Sequence, residues 1–377
     1  MTSGVDGAGK TSGLASCLPL LEPLFRAGIP VWLVGGAVRD GLEERIPKDF
    51  DFFVPVSTEA LRRLLPAAVS VGGRIPTLVL SRGKGVPPLQ LSGGEEGLVS
   101  DLSRRDFSIN AMARRVVPGG LEGEIVDPFG GQEDLKKQWL RVPQPLRNPF
   151  REDPVRVLRL MRFVATRGYA VEPGTLDLAR GAVGDLGFVA GERRLRELTL
   201  FWEGDWLNEV DSRVPADFCG GVLAAGIFGT HCPSLPESGG AEVFVRAVKA
   251  AGVSGRVKMW IFVWGVAGPE GGGEMRWGRS LWGRKMAGSD LPLSRGDRHT
   301  LVTLDRLRSL FMQWPAAGPP DRRSLSLREA DPSQGEVAHL VARDIPEKEK
   351  SQFWSWVRQG ENVVMTARRQ RRVSCPR

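Results

Sequence analysis

The 377-residue chain contains only four cysteines and three histidines. Cys17, Cys219, Cys232 and Cys375 are far apart and form no CxxC pair, which argues against a zinc ribbon or a disulfide framework and fits a reducing cytoplasm. His231 and Cys232 are neighbours, but so few histidines leave little to build a metal cluster around them. No apolar run reaches membrane-spanning length, and the N-terminus lacks the charged and apolar regions of a signal peptide. Neither an anchor nor secretion is expected. The absence of any His-Asp dipeptide speaks against an accessory phosphohydrolase, and no internal repeat is visible. Positive charge is in excess: 52 Lys and Arg against 44 Asp and Glu give a net charge of +8. That favours a polyanionic partner without singling one out. The length suffices for two or three domains with real cores.

Gly4-Val-Asp-Gly-Ala-Gly-Lys10-Thr11 satisfies the phosphate-binding P-loop pattern. The pattern requires a preceding strand, and only Met1, Thr2 and Ser3 stand before it. Residues 1–13 are therefore read as a flexible Gly/Ser-rich leader.

A second glycine turn has better context. The apolar run Val31 to Val34 reads as a strand that delivers Gly35 and Gly36 to a sharp turn, where a backbone can approach triphosphate oxygens closely. Arg39 follows on the next helix, facing the same anion. Lys48-Asp-Phe-Asp-Phe52 comes next, and strand alternation would point Asp49 and Asp51 to one face, where two carboxylates can hold hard cations. Alone, a Gly-Gly is compatible with a plain turn and an Asp-x-Asp with a solvated strand end; their order and spacing favour the chemical reading.

Two other segments can be read by charge. In Asp101-Leu-Ser-Arg-Arg-Asp-Phe-Ser-Ile-Asn-Ala111, Arg105 suits a phosphate and Asp106 a ribose hydroxyl, with Asn110 one turn on to orient Asp106. A charged helix start is the plainer alternative. In Glu152-Asp-Pro-Val-Arg-Val-Leu-Arg-Leu-Met-Arg-Phe163, a helix begun near Pro154 sets Asp153, Arg156, Arg159 and Arg162 along one face and Leu158, Met161 and Val164 toward the core. A carboxylate beside a guanidinium can match the Watson–Crick edge of a base, although a salt-bridged solvent face has the same charge pattern.

Together these segments resemble the motifs of the polymerase-beta-like nucleotidyltransferases, specifically bacterial-type (class II) CCA-adding tRNA nucleotidyltransferases and poly(A) polymerases. Val126-Asp-Pro-Phe-Gly-Gly131 with Asp134-Leu135 is similar to the family's third motif, and Gly191-Glu-Arg-Arg-Leu-Arg-Glu197 more weakly to its fifth. The likeness runs from about residue 31 to 200, and Ser108 replaces the usual threonine. It implies an α+β fold: a mixed-sheet head over 14–145, a helical neck over 146–200 and a helical RNA-binding body over 201–377. It implies Mg2+ on Asp49 and Asp51. It also implies a base read by Asp153 and Arg156, Glu152 orienting Arg156, and Arg159 and Arg162 holding the nucleotide. The implied reaction adds C or A from CTP or ATP to a tRNA 3′ end without a template, and no protein partner is indicated. A poly(A) polymerase or a weakened RNA-binding relative shares the motifs.

Strands are expected at Val31 to Val34, Phe50 to Val54, Thr77 to Leu80 and Leu89 to Leu91, with a helix over Leu102 to Arg114. Pro143, Pro145 and Pro149 suggest a hinge. Beyond it, helical spacing recurs at Val243 to Ala251, Arg256 to Val266, Thr303 to Trp314 and Glu347 to Arg358; a loop is read at Gly268 to Gly273 and a disordered basic tail at Arg368 to Arg372. Two departures bear on activity. Gln90 stands where a third acid is usual, and only about a dozen residues separate it from the second motif. Family members that complete CCA often carry a longer flexible loop there, so CC-only or A-only addition stays open.

Overall fold

The computed structural model describes residues 12–71, 77–83, 86–143 and 148–231, and otherwise 259, 291–292 and 351. The P-loop match, Pro145, Cys232, Cys375, the four downstream helices, the 268–273 loop and the basic tail lie outside the described residues, single positions apart. The chain divides into two compact units, Met1–Val164 with Gly168–Val183 and Ala165–Arg167 with Gly184–Arg377.

The first unit opens with α1 (Ser12–Ala15), α2 (Leu18–Arg26), β1 (Val31–Val34), α3 (Gly36–Leu42), β2 (Phe50–Val54) and α4 (Thr58–Leu64). It continues with β3 (Val69–Val71), β4 (Thr77–Leu80), β5 (Leu89–Gly93) and α5 (Leu98–Ser103), and a 3-10 turn at Ser108–Asn110 leads into β6 (Ala113–Val117) and β7 (Gly120–Val126). After them come α6 (Gly131–Lys137), β8 (Trp139–Leu140), α7 (Pro149–Glu152), α8 (Val155–Arg167), β9 (Ala170–Val171) and α9 (Pro173–Arg180). Seven strands form one sheet in the order β3-β4-β5-β2-β1-β6-β7. Within it β2 and β5 run parallel and the remaining pairs antiparallel.

Alternation explains which face carries chemistry. Val31, Leu33, Phe50, Phe52, Val54, Leu78, Leu80, Leu89 and Leu91 bury against Leu14, Leu21, Leu24 and Leu61 of the helices on one side. The opposite face holds a smaller core of Val34, Phe53, Leu102, Ala111 and Ala113, so part of it stays open, and Asp51 lies on that side by the period of two.

The expected strands occur where the apolar runs placed them, with β5 continuing two residues further, to Gly93. The helix expected over Leu102 to Arg114 does not form: α5 stops at Ser103, and the segment passes through the 3-10 turn into β6. Residues 106–113 are all buried, so no exposed face marks a helical phase and the pattern misleads.

The third motif is a staple for that turn. Asp127 accepts from the backbone N–H of Gly131 and Gln132 at 2.7 and 2.8 Å, capping α6. Asp134 on α6 accepts from the Ser108 hydroxyl and pairs with Arg141 at 2.7 Å. A Cβ on Gly131 would fall 2.2 Å from the Ser108 carbonyl oxygen, so only glycine lets α6 approach so closely.

In the second unit, α10 (Gly191–Trp202), α11 (Val210–Arg213) and α12 (Ala216–Phe228) follow one another. Arg194, from the fifth motif, is wholly buried and donates to the carbonyls of Val189 at 2.9 Å and Gly226 at 2.8 Å. Burial lowers the pKa of its guanidinium. It braces these helices from within.

Gly131→Ala should destabilise the chain by about 1–3 kcal/mol, the usual cost of overpacking where the opposing atom is backbone. Denaturant unfolding of the variant beside the native chain measures it.

Candidate active site

The β1–α3 turn is built as the glycines require. Gly35 has φ +76° and donates its N–H to the Met112 carbonyl at 3.1 Å. A Cβ there would lie 2.5 Å from Arg105 Nη1, so the glycine also makes room for that guanidinium. Arg105 is held by Asp101, which accepts from Nε at 3.2 Å and Nη2 at 2.9 Å.

Arg39, read as facing the anion, turns inward instead. It is 6% exposed, donates to Asp40 at 2.7 Å and to Asn110 Oδ1, and lies 5.1 Å from the centre of the Phe163 ring. Its role is to tie α3 to the second motif.

Asp106 also departs from its expected part. Its Oδ1 accepts from the Phe107 N–H and Asn110 Nδ2, both at 2.9 Å, and its Oδ2 from Arg159 Nε at 2.8 Å and Nη2 at 2.7 Å. Four donors fill a carboxylate's acceptor positions, leaving none for a ribose hydroxyl in this conformation. The expectation that Asn110 orients Asp106 matches the geometry, through the 3-10 turn and not an α-helical one. Burial pushes the Asp106 carboxyl up, but the Arg159 charge, the Asn110 amide and the Arg156 charge outweigh it and hold its pKa well below the usual carboxylate range.

On α8, Arg156, Arg159 and Arg162 form a half-buried row while Leu158, Met161 and Val164 are buried, as the spacing predicts. Asp153 is not on this helix. It is extended, φ −147° and ψ 92°, because the residue before a proline is kept out of the helical region. Arg156 donates to the main-chain carbonyls of Arg104 at 2.6 Å and Pro149 at 3.4 Å. Arg162 stacks 5.0 Å from the Phe163 ring centre. Glu152 is exposed.

Asp49, at the mouth of β2, is exposed, and Asp51 is half-buried. Among the described residues Asp51 receives no hydrogen bond, and its pKa is raised: burial is the chief cause and the nearby Asp49 and Asp101 charges add to it, against the pull of Arg105 and Arg159. A desolvated, unsatisfied carboxylate with a like charge beside it suits a cation. Gln90 on β5 is in register with Asp51, and it is exposed. Among the described residues no group of three or more His, Cys, Asp or Glu is arranged to hold a metal, so the two aspartates stand as a pair. The structural importance of Asp101, Asp127 and Asp134 was missed because a carboxylate's partner is not written beside it in sequence.

Residues 88–141 match the Poly A polymerase head domain family. A CC-adding tRNA nucleotidyltransferase of Halalkalibacterium halodurans is 38% identical over 188 residues, covering 50% of this chain and 48% of that protein. A CCA-adding enzyme of Streptococcus pneumoniae is 30% identical over 222 residues, 54% of each. Over the matched half, this chain is similar to tRNA nucleotidyltransferases, and residues 88–141 to the head domain of poly(A) polymerases. The chain spans about half the length of these curated relatives. The fold is that of the Thermotoga maritima CCA-adding enzyme complexed with tRNA, with TM-score 0.63, 23% identity, and 94% of this chain and 82% of that one covered. A CCA-adding enzyme complexed with ATP superposes with TM-score 0.59 at 24% identity, over 95% and 84% of the two chains. The α+β expectation agrees with both. No helix among the described residues is long and apolar enough to cross a membrane.

Asp106 and Asp51 should respond to pH with opposite signs. Asp106→Asn should cost roughly 3 kcal/mol at neutral pH, as breaking a buried pair does. A depressed folded pKa contributes stability above the unfolded value near 3.8 and loses it as pH falls below that, so the penalty should shrink in acid. Urea unfolding of both proteins across pH 2.5–7 (about that range) checks the trend.

Asp51→Asn should instead raise the thermal midpoint at neutral pH by a few degrees, because a raised folded pKa means that ionising the group costs stability as pH rises. Added divalent cation should raise the midpoint of the native chain and leave that of the variant in place. Calorimetry with and without the cation reads both effects.

Proposed function

We propose that this chain is a template-independent tRNA nucleotidyltransferase that adds C or A to the tRNA 3′ end from CTP or ATP and releases pyrophosphate. The observation that carries the reading is the half-buried Asp51, which receives no hydrogen bond among the described residues, with Asp49 beside it at the start of β2 and Arg105 held beside the glycine turn. The names of the relatives at 38% and 30% identity support it. Those same relatives make poly(A) synthesis the weaker reading, since only the head-domain match speaks for it.

Asp49 and Asp51 would hold a divalent cation, which we take to be Mg2+. When bound, that ion would supply Lewis-acid activation of the 3′-hydroxyl and charge neutralisation on the triphosphate. Gly35 and Gly36 allow close backbone approach to phosphate oxygens, and Arg105 offers them a guanidinium. Asp106, Asn110 and Arg159 fix the floor beneath. Asp153 and Arg156 remain the candidates for reading the base: Arg156 must release its two carbonyls to do so, a rearrangement that nucleotide binding would have to drive. The head over 14–145, neck over 146–200 and RNA-binding body over 201–377 are part of this reading, as is a cytoplasmic location.

Addition of CC alone has specific support. The relative at 38% identity is a CC-adding enzyme, and only Gly94 to Gly97 separate β5 from α5, where family members completing CCA often have a longer loop.

The test is incorporation from labelled CTP and ATP into tRNA transcripts ending before CCA, after C and after CC. We expect C addition to the first two and none of either nucleotide with Asp49→Ala, since losing a metal ligand costs several kcal/mol of transition-state stabilisation. Arg156→Ala should lose discrimination against UTP and GTP, worth roughly 1–3 kcal/mol in relative kcat/KM. A uniform slowing with preference intact would put base reading elsewhere.

A further inference from the structure

We infer that Asp101 is a positioning residue: it aims Arg105 at the β1–α3 turn, so that nucleotide affinity depends on a carboxylate that itself touches no nucleotide. The inference rests on the proposed role of Arg105 as the triphosphate contact.

The geometry forms a relay. Asp101 sits on α5 and is fixed from two sides. Its Oδ1 accepts from the Ser92 hydroxyl at 3.3 Å, and its Oδ2 accepts both Arg105 bonds. Ser92 is on β5, two residues past Gln90, and its hydroxyl also lies 3.4 Å from the Phe52 carbonyl of β2. The carboxylate is thereby referenced to the two strands that carry Gln90 and Asp51. A guanidinium has five N–H donors in a rigid plane, so anchoring Nε and Nη2 fixes where Nη1 points. Nη1 makes no hydrogen bond among the described residues, and it occupies the space that a Gly35 side chain would fill.

Three features make this arrangement more than a surface ion pair. The side chains are only 14% and 20% exposed, both Arg105 bonds reach one oxygen, and the free nitrogen is directed at a turn that only glycine can form beside it. The Arg105 charge also reaches Asp51, favouring its ionised form. An arginine left free would lose several rotatable bonds on meeting a triphosphate; one already held does not. Asp101 thus supplies preorganisation, and its loss should appear as weaker binding more than slower chemistry.

A double-mutant cycle in the full-length chain tests this, with CTP affinity by calorimetry beside steady-state incorporation on tRNA. Asp101→Asn keeps shape and removes charge, and it should weaken CTP binding about tenfold, mostly in KM with little change in kcat. Ser92→Ala, which loosens the carboxylate without removing it, should give a smaller loss of the same kind. In an Arg105→Ala background both losses should fall to within about twofold, because Asp101 has nothing left to aim. Equal losses in both backgrounds would overturn the inference, since a purely structural carboxylate acts without Arg105. If the native chain binds CTP with this coupling yet extends no tRNA, the proposed function fails and the positioning role stands. If it extends tRNA and the cycle is additive, the reverse holds. No CTP binding at all overturns both.

Discussion

A chain of charged and polar groups, buried at its centre, runs from Asp40 through Arg39, Asn110 and Asp106 to Arg159, and the candidate site stands on it. It joins the glycine turn, the second motif and the arginine helix, partners 71 and 53 residues apart in sequence. Two guanidiniums meet two carboxylates with a neutral amide in the middle, so the charges balance. Neutrality is what makes the arrangement tolerable, because an isolated buried charge costs far more than an ion pair returns. The chain does little for stability compared with an apolar core of equal volume. Its effect is specificity: Asp106 accepts four hydrogen bonds and Arg39 is held by Asp40 on one side and Asn110 on the other, which fixes where the turn lies.

Against this satisfied network, Asp51 is the exception. Every carboxylate of the second and third motifs has donors, whereas Asp51 sits half-desolvated with a raised pKa and none. A chain selected only for stability would have paired or removed it. Local violations of otherwise consistent packing concentrate where function demands them, and here the violation stands on the open face of the sheet, at the start of its central parallel pair.

Four strands were legible because their residues alternate between a full core and a sparse one, so sequence period and sheet geometry agree at Val31, Phe50, Thr77 and Leu89, whereas β3, β6 and β7 of the same sheet were not. The stretch after Leu102 was not, since burial on all sides erases the period on which such readings depend. Charge spacing places Asp153 on α8, but the steric bar on a helical residue before Pro154 is local and decides its extended conformation. Charge suggested a phosphate contact for Arg105 and a hydroxyl contact for Asp106, motif order an anion contact for Arg39, and the resemblance a nucleotide contact for Arg159. None of these could tell inward from outward, because that is decided by partners far away in the chain: Asn110 for Arg39, Arg159 for Asp106.

Gln90 can be understood from the same electrostatics. It lies in register with Asp51 on the neighbouring strand, so a carboxylate there would stand beside a group whose ionisation burial, Asp49 and Asp101 already oppose. Like charges at such separations push pKa values up. Arg105 pulls the other way, but two of its donors are committed to Asp101. With glutamine at 90, no further like charge is added beside Asp51, and a cation held there as proposed would have one fewer hard oxygen ligand of full charge. Arg105, kept in place by Asp101, is a positive charge that favours the ionised form of Asp51 against burial and the Asp49 and Asp101 charges, and a further carboxylate at position 90 would add to what it has to offset.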